Sequence, residues 1–176
     1  RADAYVAAGK RTKVFWGVLT GVSVLLGFLS LPYPIGRGGS MLFMIAGVAF
    51  KLGAAPFHMW LPDVYQGAPA PVALFISSAP KLAAFGMAYR LLEVGMGPLY
   101  PEWKWLVAGL AALSLVVGNL MAVAQSNLKR MLAYSTVSHI GFLLLGVAGG
   151  GADGFAAALF YAISYALMST ASFGAI

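Results

Sequence analysis

Six long apolar runs, each about the length that a helix needs to cross a lipid bilayer, dominate this sequence of 176 residues. The runs occupy residues 14–31, 40–66, 71–92, 105–124, 131–148 and 155–176. A transmembrane β-barrel would instead show alternating segments of about ten residues. Because 61% of the residues are hydrophobic and only 9% are charged, lipid is the expected solvent. The sequence therefore predicts an all-α, polytopic bundle of transmembrane helices that forms a single domain over residues 1–176.

The ends of the chain predict that it is a piece of a longer membrane protein. It starts at Arg1 without an initiator methionine, and it stops at Ile176 inside an apolar run. Six Lys and Arg residues fall on the side of the bundle that holds the N-terminal segment, against three on the other side. Since basic loops stay in the cytoplasm, the start of the chain is expected to face inward.

Composition also limits the chemistry that this chain can perform. The net charge is +6, but the basic residues form no stripe interleaved with aromatic residues, so nucleic-acid binding is not expected. The chain has no cysteine, which excludes disulfides and thiolate ligation of iron–sulfur clusters. His58 and Asp63 are too few ligands for a metal site. No phosphate-binding loop or nucleophile–base pair stands out, so no catalytic redox site, cofactor site or metal site is expected here.

Two lysines lie where a charge is expensive. Lys51 is about eleven residues into its apolar run, and Lys81 is about ten residues past Pro71, so both are expected near mid-depth. A lysine at that depth costs about 2.5–3.5 kcal/mol on insertion scales. One interpretation is a permanent charge satisfied by carboxylates or carbonyls of other helices. The other is a proton relay, because a lysine removed from water gives up its proton more readily.

Helix-breaking residues accompany both lysines. Gly53 and Pro56 follow Lys51, and Pro80 immediately precedes Lys81. Proline removes a helical hydrogen bond, and irregular backbone at membrane depth is tolerated only inside protein or beside a wet cavity. Broken helices of this kind form ion sites in transporters. We therefore predict a break near residues 53–56 and favour the relay interpretation.

Polar side chains recur at helical spacing around these positions. Ser77 and Ser78 lie four and three residues before Lys81, and so share its helix face. In the fifth run, spacings of three and four relate Tyr134, Ser135, Ser138 and His139. The histidine is a candidate proton carrier, although a structural histidine is about as plausible. A stripe in the sixth run is predicted to pack helices together: Tyr161, Ser164, Tyr165, Met168, Ser169 and Ser172.

Three stretches resemble the antiporter-like membrane subunits of respiratory complex I, the proton-translocating NADH:quinone oxidoreductase. Residues 50–72 read FKLGAAPFHMWLPDVYQGAPAPV, residues 118–141 read GNLMAVAQSNLKRMLAYSTVSHIG, and residues 78–86 read SAPKLAAFG. The YQGAPAP and SNLKR forms favour the bacterial subunit N group, relatives of mitochondrial subunit 2. The likeness extends over residues 40–173, and residues 1–39 show no comparable match.

The resemblance implies a role for particular residues. Lys51 occupies the position of the family's central relay lysine on a broken helix, and Lys81 that of the second relay member. His58 and His139 correspond to the family's motif histidines. The family's membrane glutamate and its later lysine have no counterpart, and Glu93 at a segment end is not that glutamate.

The resemblance also implies an inverted-repeat antiporter-like fold, a multi-pass location in the bacterial inner membrane and neighbouring antiporter-like and small membrane subunits as partners. The chain would be a non-redox subunit, while NADH, flavin, iron–sulfur clusters and quinone are used elsewhere in the complex. Two alternatives remain open. One is a stand-alone or Mrp-type cation/proton antiporter, which shares the lysines and the broken helix. The other is a structural membrane subunit, in which replacing Lys51 or Lys81 would be harmless.

Overall fold

A computed structural model describes residues 36–176, so the predicted segment 14–31 lies outside the described residues. The described part forms only helices, with no strand. Its α-helices are α1 Gly36–Leu52, α2 Trp60–Gly67, α3 Ala70–Tyr89, α4 Tyr100–Val123, α5 Leu128–Gly149 and α6 Gly151–Gly174. A π-helical turn, Arg90–Gly95, and a 3-10 turn, Gly97–Leu99, connect α3 to α4. The predicted all-α class is confirmed.

Four stretches of the described chain are long and apolar enough to cross a membrane. They are Ala70–Gly95, Gly97–Val123, Leu128–Gly149 and Gly151–Gly174. The run 40–66 differs, because it is divided between α1 and α2 by the non-helical residues 53–59. The eight residues of α2 rise only about 12 Å, far less than the roughly 30 Å of a bilayer core. The two halves together form one broken helix.

Several helices begin before the apolar runs that predict them, because polar or cyclic residues stabilise their first turns. Helix α4 starts at Tyr100 rather than near Trp105, with Pro101 in its first turn. Helix α5 starts at Leu128, where the side chain of Asn127 accepts a hydrogen bond from the backbone nitrogen of Arg130 at 3.2 Å. Hydropathy locates the part of a helix that lies in lipid, whereas caps decide where the helix starts.

Two apolar clusters meet at the helix break. The larger draws residues from α1, α3, α4, α5 and α6 and includes Leu52 and Ala54. The smaller draws from α2, α3, α5 and α6 and includes Ala55 and Leu61. Since neighbouring residues of the break belong to different clusters, the chain passes from one packed region to the other at this point.

Glycines let the helices approach closely. A Cβ atom on Gly141 of α5 would lie 2.9 Å from the carbonyl oxygen of Ala111 in α4. A Cβ atom on Gly146 would lie 2.9 Å from Cβ of Ala158 in α6. Apolar side chains gain little by leaving lipid for a helix–helix contact, so membrane helices associate largely through close packing. Small residues at the crossings allow that packing. The chain turns from α5 into α6 through Gly150, whose φ of 65° is a conformation that side chains other than glycine rarely adopt.

Candidate functional site

The break after α1 redirects the main chain at Gly53. This residue has a φ of 86°, in the left-handed region that favours glycine. Its backbone nitrogen and that of Ala54 both donate to the carbonyl oxygen of Ala49 at 2.8 Å. The usual helical pattern therefore stops here, and the last carbonyls of α1 become available to donors outside the helix.

Lys81 of α3 donates to one of these carbonyls. Its side chain is only 4% exposed, and its Nζ donates a hydrogen bond to the carbonyl oxygen of Leu52. The ammonium also lies 5.3 Å from the centroid of the Trp60 ring, within cation–π range. Lys81 is buried, as the sequence predicted, but the break that it contacts is the one after α1 and not one at Pro80. Its neighbours are a carbonyl dipole and an aromatic face.

Lys51 lies at the end of α1, next to Leu52. Its side chain is exposed in the described part of the chain, where the sequence predicted burial, because the described helices leave this face of α1 uncovered. The carbonyl that accepts from Lys81 belongs to Leu52, the residue that follows Lys51. The chain thus brings Lys51 and Lys81 together at one break.

Trp60 connects the two halves of the broken helix. It is the first residue of α2, and its indole Nε1 donates to the carbonyl oxygen of Phe50 in α1 at 3.1 Å. The same ring faces the Lys81 ammonium. Sequence reasoning did not select Trp60, although its place four residues after Pro56 in the broken-helix motif was a usable signal.

Ser114 of α4 reaches the break from a different direction. Its side chain is fully buried, and its Oγ accepts a hydrogen bond from the backbone nitrogen of Ala55 at 2.9 Å. The Oγ in turn donates to the carbonyl oxygen of Leu110 at 2.7 Å. Sequence reasoning missed Ser114, whose only signal was a hydroxyl in an otherwise apolar run.

Ser77 and Ser78 contribute less to the lysine site than their spacing predicted. Both hydroxyls donate to the carbonyl oxygen of Leu74 in their own helix, each at 2.9 Å. Ser77 is buried, whereas Ser78 is half-buried. Pro80 was predicted to break its helix, but α3 continues through it from Ala70 to Tyr89, since a membrane helix tolerates the loss of one N–H group. The serines satisfy backbone close to Lys81, and their hydroxyls donate to Leu74.

His139 belongs to a second polar cluster, between α5 and α6. Its Nδ1 shares a hydrogen bond of 2.7 Å with the hydroxyl of Tyr161, and its ring lies 4.8 Å from the ring of Tyr165. Tyr165 donates to Thr136 Oγ1 at 2.7 Å. Within the described part, the hydrogen bond and ring contacts of His139 are all to α6. The sequence predicted both sides of this cluster but not their pairing.

His58 lies in the break, next to α5. Its ring is buried and packs edge-on to Tyr134, with 6.1 Å between the ring centroids. The Nδ1 atom is buried and has no hydrogen-bond partner among the described residues. Ser138 is buried where α5 crosses Gly118, and Ser135 is half-buried. The histidines thus lie in different settings, one at the break and one at the α5–α6 contact.

The far end of α2 is held against α5 by Arg130. Its Nη1 is 3.0 Å from Oδ1 of Asp63 and 3.0 Å from Oε1 of Gln66. Lys129 donates to the carbonyl oxygen of Ala68 at 3.2 Å. Within residues 36–176, no group of three or more His, Cys, Asp or Glu residues could hold a metal ion.

Arg130→Gln is expected to have a small effect. The ion pair is partly exposed, with 34% of the Arg130 side chain and 70% of the Asp63 side chain accessible, so solvent weakens it. We expect a loss of roughly 0.5 kcal/mol and faster amide exchange only in residues 63–68. Thermal unfolding and hydrogen-exchange mass spectrometry would measure both effects. A loss of several kcal/mol would contradict the assignment of a weak surface contact.

Comparison with known proteins identifies relatives of this chain. A family model described as "NADH:quinone oxidoreductase/Mrp antiporter, TM" matches residues 9–176. The match includes residues 9–39, for which the motifs gave no likeness, so that part of the motif-based assignment was too narrow. A protein of Xanthomonas euvesicatoria pv. vesicatoria (strain 85-10), named NADH-quinone oxidoreductase subunit N, is 86% identical over 135 residues. That alignment covers 77% of this chain and 28% of the relative.

Two solved structures share the fold. A chain of respiratory complex I from Thermus thermophilus with bound aureothin is 34% identical, with a TM-score of 0.76 over 97% of this chain and 40% of that chain. A chain of the Mrp complex from Dietzia sp. DQ12-45-1b has a TM-score of 0.85 over 96% of this chain and 34% of that chain. The second is only 22% identical, so it shows the fold alone. This chain spans about 28% of the length of the curated relatives that it matches.

Proposed function

Because this chain belongs to the NADH:quinone oxidoreductase/Mrp antiporter family of transmembrane proteins, we propose that it forms part of a proton-translocating membrane subunit of an NADH:quinone oxidoreductase. The chain is a multi-pass membrane protein, as the four spanning stretches and the family match both indicate. The 86% identity to a protein named NADH-quinone oxidoreductase subunit N favours a respiratory complex over an Mrp-type antiporter. Its partners would be neighbouring membrane subunits of such a complex.

The observation that most supports proton transfer is the setting of Lys81. Its ammonium is buried at a helix break and donates to a main-chain carbonyl. Among the described residues the carboxylate that forms an ion pair is Asp63, and its partner is Arg130 rather than Lys81. An ionisable side chain buried among membrane helices is a candidate for function, and in this proposal Lys81 is the group that exchanges a proton.

Repulsion between Lys51 and Lys81 provides a means of coupling. Two like charges at one helix break disfavour simultaneous protonation, so in this proposal a proton that arrives on one lysine favours release from the other. Lys51 lies at the end of α1, at the break, and Lys81 is buried against it, so both lysines lie on the proposed path. The redox reactions of NADH and quinone would take place on other subunits and drive changes in these charges.

The histidines take subordinate roles in this proposal. His139 shares a hydrogen bond with Tyr161 and lies next to the hydrogen-bonded hydroxyls of Tyr165 and Thr136. Together these side chains form a row of polar groups between α5 and α6. His58 places an unpartnered ring nitrogen beside the break. Both are groups on which a proton could reside after leaving the lysines.

Lys51→Ala tests the proposal in membranes that contain the full-length protein within its assembled complex. We expect NADH-driven proton pumping and quinone reduction to fall together by about tenfold or more, since a positioned proton carrier contributes on that scale or above. Pumping is measured with a pH-sensitive dye and assembly by native gel electrophoresis.

Lys104→Ala is the matched control. Lys104 is a half-buried lysine whose ammonium lies over the rings of Tyr100 and Trp105, away from the break. It is expected to leave both activities unchanged. If Lys51→Ala assembles and pumps like the wild type, the proposed relay is wrong.

A further inference from the structure

Several backbone groups at the helix break have specific partners. The carbonyl of Phe50 accepts from Trp60, and the carbonyl of Leu52 accepts from Lys81. The first amides after α1 donate back to Ala49. The next amide, that of Ala55, has passed beyond the reach of α1 and donates to Ser114 of α4. Since Ala55 is itself fully buried, no water can replace this acceptor.

The polarity of the Ser114 hydroxyl is fixed by its own helix. Its proton is donated to the carbonyl oxygen of Leu110, four residues earlier. Its oxygen is therefore left as an acceptor and can bind an N–H group, not a carbonyl. Many membrane serines only bond back to their own helix, as Ser172 does with Met168 at 2.9 Å. Ser114 adds a second bond, to a residue 59 positions away in the sequence.

From this geometry we propose that Ser114 is a positioning residue for the lysine site. By holding the amide of Ala55, its oxygen fixes the backbone of the break, so that the carbonyl of Leu52 is presented to the ammonium of Lys81. Ala55 is three residues after Leu52 and four after Lys51, so a shift of its amide displaces both. The consequence for proton transfer rests on the function proposed above, whereas the anchoring of the break does not.

Two replacements separate the hydroxyl from the volume of the side chain. Ser114→Ala removes the acceptor without adding atoms, and Ser114→Thr retains a hydroxyl at the same place. Ser172→Ala is the matched control, because it deletes a helical hydroxyl that, among the described residues, bonds within α6. All are made in the full-length protein and studied in the assembled complex.

Hydrogen-exchange mass spectrometry of a peptide covering residues 53–57 provides the structural test. We expect Ser114→Ala to speed exchange there about tenfold, and Ser114→Thr and Ser172→Ala to match the wild type. Unchanged exchange in Ser114→Ala, or equal acceleration in Ser114→Ala and Ser172→Ala, overturns the proposal.

Pumping assays in the same membranes test the functional part. We expect Ser114→Ala to lower the maximal rate several-fold without changing the KM for quinone, and the threonine variant to recover it. Lys81→Ala is assayed beside them. If Lys81→Ala pumps normally, the proposed relay fails while the exchange data still decide the anchoring role. If Lys81→Ala is inactive but Ser114→Ala pumps like the wild type, the positioning role alone is overturned.

Discussion

Lys81→Met is expected to reduce NADH-driven proton pumping by about a hundredfold, the lower end of what a positioned proton-transfer group contributes. Methionine has a similar length and no charge, so it fills the space beside Trp60 and Leu52 with little change in packing. Removing the charge also removes a buried group that is expensive to hold in lipid, so assembly should survive. Pumping and quinone reduction are measured together, because both rates fall when the two processes are coupled.

Lys81→Arg distinguishes a relay from a structural charge. Arginine keeps a positive charge and can donate to the Leu52 carbonyl, but it does not release its proton in proteins. If Lys81 must exchange protons, the arginine variant is as inactive as the methionine variant. If Lys81 only balances the carbonyl dipole, arginine restores activity. An active arginine variant would therefore falsify the relay while leaving the contact with Leu52 intact.

The fold could be predicted from the sequence because lipid leaves so few alternatives. A helix satisfies its own backbone, so a continuous apolar run of the right length has one solution. Helix ends were less certain, since α4 starts at Tyr100, outside its apolar run. The break was visible in Gly53 and Pro56, but its length was not. Residues 53–59 are non-helical and contain Gly53, in a left-handed conformation, and Pro56, which lacks a backbone donor.

The candidate site could be predicted only in part. Lys51 and Lys81 could be selected as candidate site residues, because a charged residue within an apolar membrane run is costly and therefore rare. Their meeting at one break could not be derived from a spacing of 30 residues and was not predicted; the family resemblance gave only their relay roles. The acceptor of Lys81 is a backbone carbonyl, for which no side-chain pattern exists. Ser114 was not predicted for a similar reason, because its partner is a backbone amide.

Burial of Lys51 was predicted from depth along the helix, which is a poor guide to the side chain's surroundings. Depth says how far a residue lies from the membrane surfaces, whereas exposure depends on which helix face has neighbours. Lys51 is exposed within residues 36–176, while Lys81 is buried on α3 against the break. Within the described residues, the two lysines therefore differ in how many neighbours surround them.

Gly118→Ala is expected to destabilise the bundle more than the other glycine-to-alanine substitution on α4, at Gly109. A Cβ atom on Gly118 would lie 2.5 Å from the backbone nitrogen of Ser138 and 2.9 Å from its Cα. These are main-chain atoms of α5, so no side-chain rotation can relieve the clash and the helices must separate. Overpacking of this kind costs about 1–3 kcal/mol. The α4–α5 contact also orients Ser114 toward the break, so the loss should extend to Ala55.

Gly109→Ala is the internal control, because it adds the same methyl group to the same helix. A Cβ atom on Gly109 would meet nothing within 4 Å in the described structure. Alanine is also the better helix former, so this variant is expected to equal or exceed the wild type in thermal stability. Melting temperatures of the full-length protein in detergent would measure both variants. Equal melting temperatures would show that α4 and α5 can separate at little cost, which would contradict the role assigned to Gly118. A lower value for Gly118→Ala alone would locate the close contact at the face of α4 that meets Ser138.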